Sequence, residues 1–188
     1  MNAALDWLPR HRLMVIDDQR MGDLGILAED THVELIEGEL FDMAPMSSLH
    51  AGTVSYLIRL LTRSVGDQSV VWVQNPVALG ENSEPEPDVA LLRPRADFYK
   101  TRHPHAGDVL LMIEVADSSL RYDREVKLPL YARHGITEVW IVDLALSRLD
   151  VHRQPEAGRY QDSQRLTSPI VLAPLAFPDL LLDLSELF

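Results

Sequence analysis

Apolar residues recur at helical spacing in two stretches of the chain. Between residues 49 and 65 they are separated by three or four positions, which predicts an amphipathic helix. Ser47 can cap the start of this helix, and Gly66 ends it. A second helix is predicted over residues 122–134, where Pro129 is expected to kink or interrupt it.

Short extended segments outside these helices predict β-strands. The first two, 33–36 and 40–43, flank a turn at Gly38 and predict an N-terminal β-hairpin. The run 109–115 is almost wholly apolar, which is typical of a central strand buried on both faces. The other predicted strands are 70–73, 77–79, 89–92, 138–144 and 148–153.

The two ends of the chain are patterned more weakly. With 188 residues, the chain is expected to form a single domain whose core spans residues 33–155. Residues 1–32 are predicted to be an arm that packs on the core or on a partner subunit. Residues 156–188 are predicted to complete an exposed hairpin over 155–167 and then to wrap the core, ending in a short helix.

Composition and charge restrict the possible functions. The apolar fraction of 46% is that of an ordinary globular protein, and the absence of cysteine excludes thiolate chemistry. Neither a signal peptide nor a membrane span is recognisable, so we expect a cytoplasmic protein with no membrane partner. The net charge of −12 argues against binding a polyanion over a broad surface. A basic run with Arg93, Arg95, Lys100 and Arg102 is the local exception and a candidate phosphate contact.

Three ionisable residues border strongly apolar segments. Asp88 precedes the strand 89–92, and Glu114 lies near the end of the strand 109–115. If these strands are antiparallel neighbours, the two carboxylates meet at one end of the sheet and favour a shared cation. Oxygen ligands of this kind suit Mg²⁺ or Mn²⁺. Lys127, on the following helix, could orient a water or stabilise charge that develops on a phosphate.

The motifs around these residues carry a resemblance to a known family. In order, they are Glu-Leu-Ile-Glu-Gly-Glu (34–39), a helix with His50 near its start, Ser-Glu-Pro-Glu-Pro-Asp (83–88), Ile-Glu-Val-Ala-Asp-Ser-Ser-Leu (113–120), Tyr-Asp-Arg-Glu-Val-Lys-Leu-Pro-Leu-Tyr-Ala (122–132) and Glu-Val-Trp-Ile-Val-Asp (138–143). Together they resemble the Uma family of proposed endonucleases, which belongs to the PD-(D/E)XK restriction-endonuclease-like superfamily. The resemblance covers roughly residues 30 to 155.

This resemblance implies both a fold and a site. The fold is of the α/β (α+β) class, with a restriction-endonuclease-like core in which helices flank a mixed sheet. The implied metal-binding acids are Asp88 and Glu114, the implied catalytic lysine is Lys127, and homodimers are expected. The usual spacing of the superfamily would place the lysine at position 116, where this chain has Ala116. The resemblance therefore implies that the catalytic lysine has moved from the strand to the helix, where it is Lys127.

Each candidate also has a simpler structural interpretation. Asp88 could be a turn residue, Glu114 a buried acid paired with an arginine such as Arg121, and Lys127 a solvated helix residue. Glu34 could be a third acidic ligand or orient a water, or else be an exposed strand acid. His50 could assist proton transfer, or it could pack or cap its helix.

Two hypotheses of different classes follow. The first is a Mg²⁺-dependent endonuclease that hydrolyses phosphodiester bonds in DNA. The second is a non-catalytic homodimeric interaction or regulatory module that retains the nuclease fold; the acidic net charge and the lack of a recognisable DNA-reading element support it. Among polar neighbours, Gln74 could make a polar contact in the site, and Tyr131 is expected to be core or a hydrogen-bond partner of the lysine.

Overall fold

A six-stranded mixed β-sheet forms the centre of the computed structural model, which describes residues 9–28, 31–43 and 45–188. In chain order, the strands are β1 (Val33–Ile36), β2 (Glu39–Asp42), β3 (Val70–Val73), β4 (Val89–Leu92), β5 (Val109–Ala116), β6 (Glu138–Asp143), β7 (Arg148–Glu156), β8 (Arg159–Thr167), β9 (Val171–Leu172) and β10 (Leu182–Asp183). The central sheet has the order β3-β4-β5-β6-β7-β8, in which only β5 and β6 pair in parallel. This arrangement confirms the predicted fold class.

Helices cover the two faces of this sheet. They are α1 (Val15–Asp23), α2 (Ser48–Val65), α3 (Leu120–Tyr122) and α4 (Leu128–Arg133), with a π-helical turn, Asp123–Lys127, between α3 and α4. The long helix α2 begins and ends as predicted. Ser47 Oγ accepts a hydrogen bond from the His50 backbone N–H at 3.2 Å, and Gly66 ends the helix with a φ of 51°.

Two layers of core lie on opposite faces of the sheet, because neighbouring strand residues point in opposite directions. On one face, Leu111 and Ile113 belong to the same apolar cluster as the buried side of α2. On the other face, Met112 packs with Leu130 and Tyr131 of α4. The central strand β5 is therefore buried on both sides, as its apolar sequence predicts, and Glu114 shares the α4 face with Met112.

Pro129 determines the form of the second helical segment. The segment begins at Leu120, two residues before the predicted start, and the Leu128 N–H bonds to the carbonyl of Asp123, five residues earlier. Proline has no N–H to continue the regular ladder, so a wider π turn before it accommodates the missing bond. The predicted interruption is thus a π turn, and it contains Lys127.

The N-terminal hairpin of β1 and β2 is a separate two-stranded sheet, and α1 docks beside it. The Leu13 N–H bonds to the Gly38 carbonyl at 3.0 Å, and the Val15 N–H bonds to the Glu81 carbonyl at 2.8 Å. A side chain at position 38 would meet Arg12 Cβ at 2.6 Å, so this close approach requires glycine. The predicted arm therefore contains a helix that packs on the core; residues 1–8 lie outside the described residues.

Three local predictions are wrong. Residues 77–79 are buried but form only one bridge, between Ala78 and His105, because proline and the following loop prevent a continuous ladder. Residues 155–167 do not form a hairpin of their own: they are the end of β7, the turn and the whole of β8, which pairs with β7 from Arg148 to Glu156. The expected final helix is absent from the described residues after 172, where β10 and turns occur instead. Among the described residues, no helix combines the length and apolar character needed to cross a membrane.

Candidate active site

A cavity of about 380 Å³ opens at the end of the sheet where β4 begins and β5 ends. Its walls come from the N-terminal hairpin, from the loop and first turn of α2, and from the segment between β5 and the π turn. The lining side chains are Glu34, Phe41, Asp42, Met43, Pro45, Met46, Ser47, His50, Glu86, Asp88, Glu114, Asp117, Ser118, Ser119, Tyr122, Asp123 and Lys127.

Asp88 lies at the floor of this cavity and is held by three donors. Val89 is paired with Ile113 in the antiparallel ladder, so Asp88 and Glu114 meet at one end of the sheet, as the sequence predicts. The Val115 N–H donates to Asp88 Oδ2 at 2.8 Å. Oδ1 lies 3.0 Å from His50 Nε2 and 3.2 Å from Gln74 Nε2. The Asp88 carboxylate is therefore fixed in orientation by backbone and side chain together.

Glu114 is only 2% exposed and is held from the helical segment. Its carboxylate lies 3.4 Å from Lys127 Nζ and accepts a short hydrogen bond from the Tyr131 hydroxyl. The alternative partner Arg121 instead pairs with Glu125 at 2.8 Å on the surface. The interpretation of Glu114 as a partner of Arg121 is therefore wrong.

Lys127 and Glu34 form the closest ion pair in the cavity. Lys127 Nζ lies 2.7 Å from Glu34 Oε1, and Lys127 is only 4% exposed. Glu34 also accepts the Glu86 N–H at 3.0 Å and the Tyr122 hydroxyl at 3.1 Å. Both residues are buried, so the interpretations of a solvated lysine and an exposed strand acid are wrong.

The carboxylates of the cavity have unequal proton affinities. Burial raises the pKa of Glu114 well above its ordinary value, and burial raises the pKa of Asp123 to about 6. Burial and the nearby Glu34 also raise the pKa of Glu86. Burial acts to raise the pKa of Asp88 as well, but the hydrogen bond and charge of His50 outweigh it and the pKa is lowered. Asp88 is thus the carboxylate most readily ionised among these four.

Nearby acids raise the pKa of both bases of the cavity. The hydrogen bond to Asp88 raises the pKa of His50. Burial acts to lower the pKa of Lys127, but the charges of Glu114 and Glu34 outweigh it and raise the pKa well above its ordinary value. Lys127 is therefore a cation at neutral pH.

Acids outnumber bases in the cavity lining. Seven carboxyl side chains face one lysine and one histidine, and three of the acids have a raised pKa. Carboxylate oxygens are the ligands that Mg²⁺ and Mn²⁺ prefer, so the donor set fits such an ion. Within the described residues, however, no three His, Asp or Glu side chains converge closely enough to hold a metal ion in this conformation.

The basic run occupies a different place. β4 and β5 are antiparallel, so the loop that joins them lies at the end of the sheet away from Asp88. Arg95 lies 2.6 Å from Asp97, and Arg102 lies 2.8 Å from Asp108. None of the four predicted phosphate contacts, which are Arg93, Arg95, Lys100 and Arg102, lines the acidic cavity. Their role toward DNA stays a prediction.

Sequence reasoning missed several residues that belong to the cavity. Glu86 was hidden in the Glu-Pro-Glu-Pro-Asp segment, although it alternates with Asp88 and so emerges on the same side. Asp123 lies four residues before Lys127, a spacing that places both on one face of the predicted helix. This signal could have assigned Asp123 to the site. Tyr122 gave no comparable signal, because its contact with Glu34 joins positions 88 residues apart.

The fold is that of a known class of protein. A solved structure described as "a putative nuclease belonging to DUF820" from Anabaena variabilis superposes with a TM-score of 0.71 and 15% sequence identity. The match covers 94% of this chain and 97% of the other, so the two share a nuclease-like fold.

Residues 20–185 match the Uma2 family, described as "Putative restriction endonuclease", and the chain belongs to that family. This membership confirms the resemblance found in the sequence. No curated protein matches the chain.

Proposed function

We propose that this protein is a Mg²⁺-dependent or Mn²⁺-dependent endonuclease that hydrolyses phosphodiester bonds in DNA. The observation that carries the proposal is the meeting of Asp88, Glu114 and Lys127 in one cavity. Asp88 and Glu114 are the proposed metal ligands, with Glu86 beside them. The bound ion would lower the pKa of a water and neutralise charge on the phosphate.

The protein groups have distinct proposed roles in this reaction. Lys127, a buried cation, stabilises negative charge that develops on the phosphate. Glu34 holds the lysine in place through its 2.7 Å contact. His50 orients the Asp88 carboxylate through its 3.0 Å contact. Glu114 and Lys127 are almost completely buried, so bulk water has little access to them.

Specific observations favour the second candidate, a non-catalytic homodimeric module. Asp88 and Glu114 both have protein partners, namely His50 for the first, and Lys127 with Tyr131 for the second. Metal binding therefore requires these partners to share or release the carboxylates. The net charge of −12 also opposes approach of DNA.

Cleavage of circular DNA tests the proposal, because a closed circle has no ends for an exonuclease. Plasmid and single-stranded circular DNA are incubated with the protein in Mg²⁺ or in Mn²⁺, and then with EDTA. We expect nicked or linear products only with metal. Asp88→Asn and Lys127→Met should each reduce the rate by at least about 100-fold, the size of effect for loss of a group that stabilises transition-state charge.

Two exposed residues outside the cavity provide matched controls. Asp67→Asn removes an acid and Arg63→Met removes a cation, and both should leave the rate unchanged. Activity that survives both Asp88→Asn and Lys127→Met would show that hydrolysis occurs elsewhere. Absence of any cleavage by folded protein, together with a dimer in sedimentation equilibrium, would favour the non-catalytic module.

A further inference from the structure

One wall of the acidic cavity is apolar and partly exposed. Phe41 is 37% exposed, and its ring lies 6.0 Å from the ring of Tyr122 at an angle of 45°. Met46, which also lines the cavity, is 60% exposed. These side chains place an aromatic and thioether surface beside a strongly charged floor.

The position of Phe41 follows from the hairpin register. Phe41 is the cross-strand partner of Glu34, so the two side chains emerge on the same face of the hairpin. Glu34 in turn contacts Lys127 at 2.7 Å. The Phe41 ring is therefore held next to the proposed catalytic lysine by the strand pairing itself.

Access to the floor restricts the form of the substrate. Glu114 is 2% exposed, and the Asp88 side chain is 15% exposed. A scissile phosphate must enter the cavity to reach these groups, and the volume of about 380 Å³ is at the lower end of the range for small-molecule pockets. A paired duplex cannot bring both of its strands into such a space, whereas one unpaired nucleotide suits it.

We propose that Phe41, with Tyr122 tilted against its side, forms a stacking platform for one unpaired base of single-stranded DNA, and that the adjacent phosphate lies over Asp88, Glu114 and Lys127. The assignment rests on the proposed nuclease function and specifies its substrate. A nucleotide joins a planar aromatic base to an anionic phosphate, which matches an aromatic wall beside a cation-binding floor. Stacking on aromatic side chains is a general, sequence-tolerant way to bind single strands.

Binding measurements test the platform separately from catalysis. Fluorescence anisotropy in Ca²⁺, a cation that carboxylate oxygens also bind, gives the Kd of the full-length protein for a short single strand, for the same strand with abasic sites, and for the corresponding duplex. We expect the single strand to bind more tightly than the other two. Phe41→Ala should weaken binding of the single strand by about 5- to 100-fold, the range for loss of one stacked base.

A conservative variant and a matched control separate stacking from folding. Phe41→Trp should restore binding, whereas Phe188→Ala, at a position 39% exposed and outside the cavity, should leave it unchanged. Unchanged binding by Phe41→Ala, equal affinity for intact and abasic strands, or no binding of single strands would overturn the platform. Base-dependent binding without cleavage in Mg²⁺ or Mn²⁺ would instead support the platform and reject the proposed hydrolysis.

Discussion

Two clusters of buried charge flank the helical segment 120–133, and they differ in how their charges are balanced. The cavity cluster consists of Glu34, Glu86, Asp88, Glu114, Asp123, His50 and Lys127. The arginine cluster consists of Asp143, Asp150, Arg124 and Arg148, with Arg165 at its edge. In the first cluster acids are in excess, whereas in the second each acid has at least two arginine partners.

The arginine cluster is closed by direct contacts. Asp143 is fully buried. Its carboxylate forms ion pairs with Arg148 at 2.8 Å and Arg124 at 3.2 Å, and it accepts a hydrogen bond from the Leu146 N–H at 3.1 Å. Asp150 receives Arg124 at 2.5 Å. Arg124 is three residues before Lys127 in the π turn, so this cluster anchors the segment that delivers the proposed catalytic lysine.

Buried charge alone does not identify a functional site. The arginine cluster compensates its carboxylates within the protein, so it has little to offer a ligand. The cavity cluster leaves carboxyl groups with raised pKa values beside a space that a ligand can enter. Uncompensated charge of this kind is typical of sites that bind or transform a substrate.

The largest expected effect on stability concerns Asp143. Asp143→Ala removes one of the two buried carboxylates that Arg124 and Arg148 share and leaves both arginines with Asp150 alone. Removing one partner of a buried charge pair typically costs about 3–5 kcal/mol. We expect a loss of that size in the free energy of unfolding, measured by urea denaturation at pH 7.5.

A substitution in the exposed Arg121–Glu125 pair is the control for this measurement. Glu125→Ala removes a carboxylate from a solvent-screened surface i,i+4 pair and should change the free energy of unfolding very little. Equal losses for Asp143→Ala and Glu125→Ala would show that the arginine cluster does not support the fold.

A smaller effect, with a definite pH dependence, is expected for Asp123. Burial raises its pKa from 3.8 to about 6 in the folded protein, so its contribution to stability is complete below pH 3.8 and is lost as the pH rises through 6. Asp123→Asn keeps an acceptor for the 2.7 Å bond from Ser119 but cannot ionise. The variant should match the wild type at pH 4 and exceed it by about 3 kcal/mol at pH 8.

Thermal or urea unfolding at several pH values between 4 and 8 checks this expectation. Asp67→Asn, at an exposed position outside the cavity, is measured in parallel as a control for the loss of a surface carboxyl group. If the stability of Asp123→Asn relative to the wild type falls between pH 4 and 8, the Asp123 carboxylate is compensated after all. The cavity cluster would then compensate its acids as the arginine cluster does.

Much of the fold was accessible from the sequence because its signals are local. The apolar run of β5, the spacing and cap of α2 and the hairpin turn at Gly38 each depend on residues close together in the chain. The neighbouring antiparallel positions of Asp88 and Glu114 followed from the connection between their strands. These features concern the backbone, which local patterns restrict strongly.

The features that could not be predicted depend on contacts between residues far apart in the chain. None of the residues of the 9-residue helix α1 is fully buried. A helix of this kind needs no clear apolar stripe in its sequence, so no periodic pattern predicted it. The burial of Glu34 arises from partners on the π turn and on the segment before β4. The separation of the basic run from the cavity required the path of the whole sheet, which no local pattern contains.

The smallest expected effect shows whether burial, rather than pairing, determines the strength of the arginine cluster. Arg165 Nε lies 3.8 Å from Asp150 and its side chain is 75% exposed, whereas Arg148 Nε lies 3.2 Å from the same oxygen and its side chain is 17% exposed. Solvent screens the exposed pair, so Arg165→Met should change the unfolding free energy by less than about 0.5 kcal/mol. Arg148→Met removes a buried partner of both acids and should cost several times more, as measured by urea denaturation of both variants. A loss for Arg165→Met as large as that for Arg148→Met would mean that Asp150 depends on solvent-exposed charge, and the cluster would then not be closed within the protein.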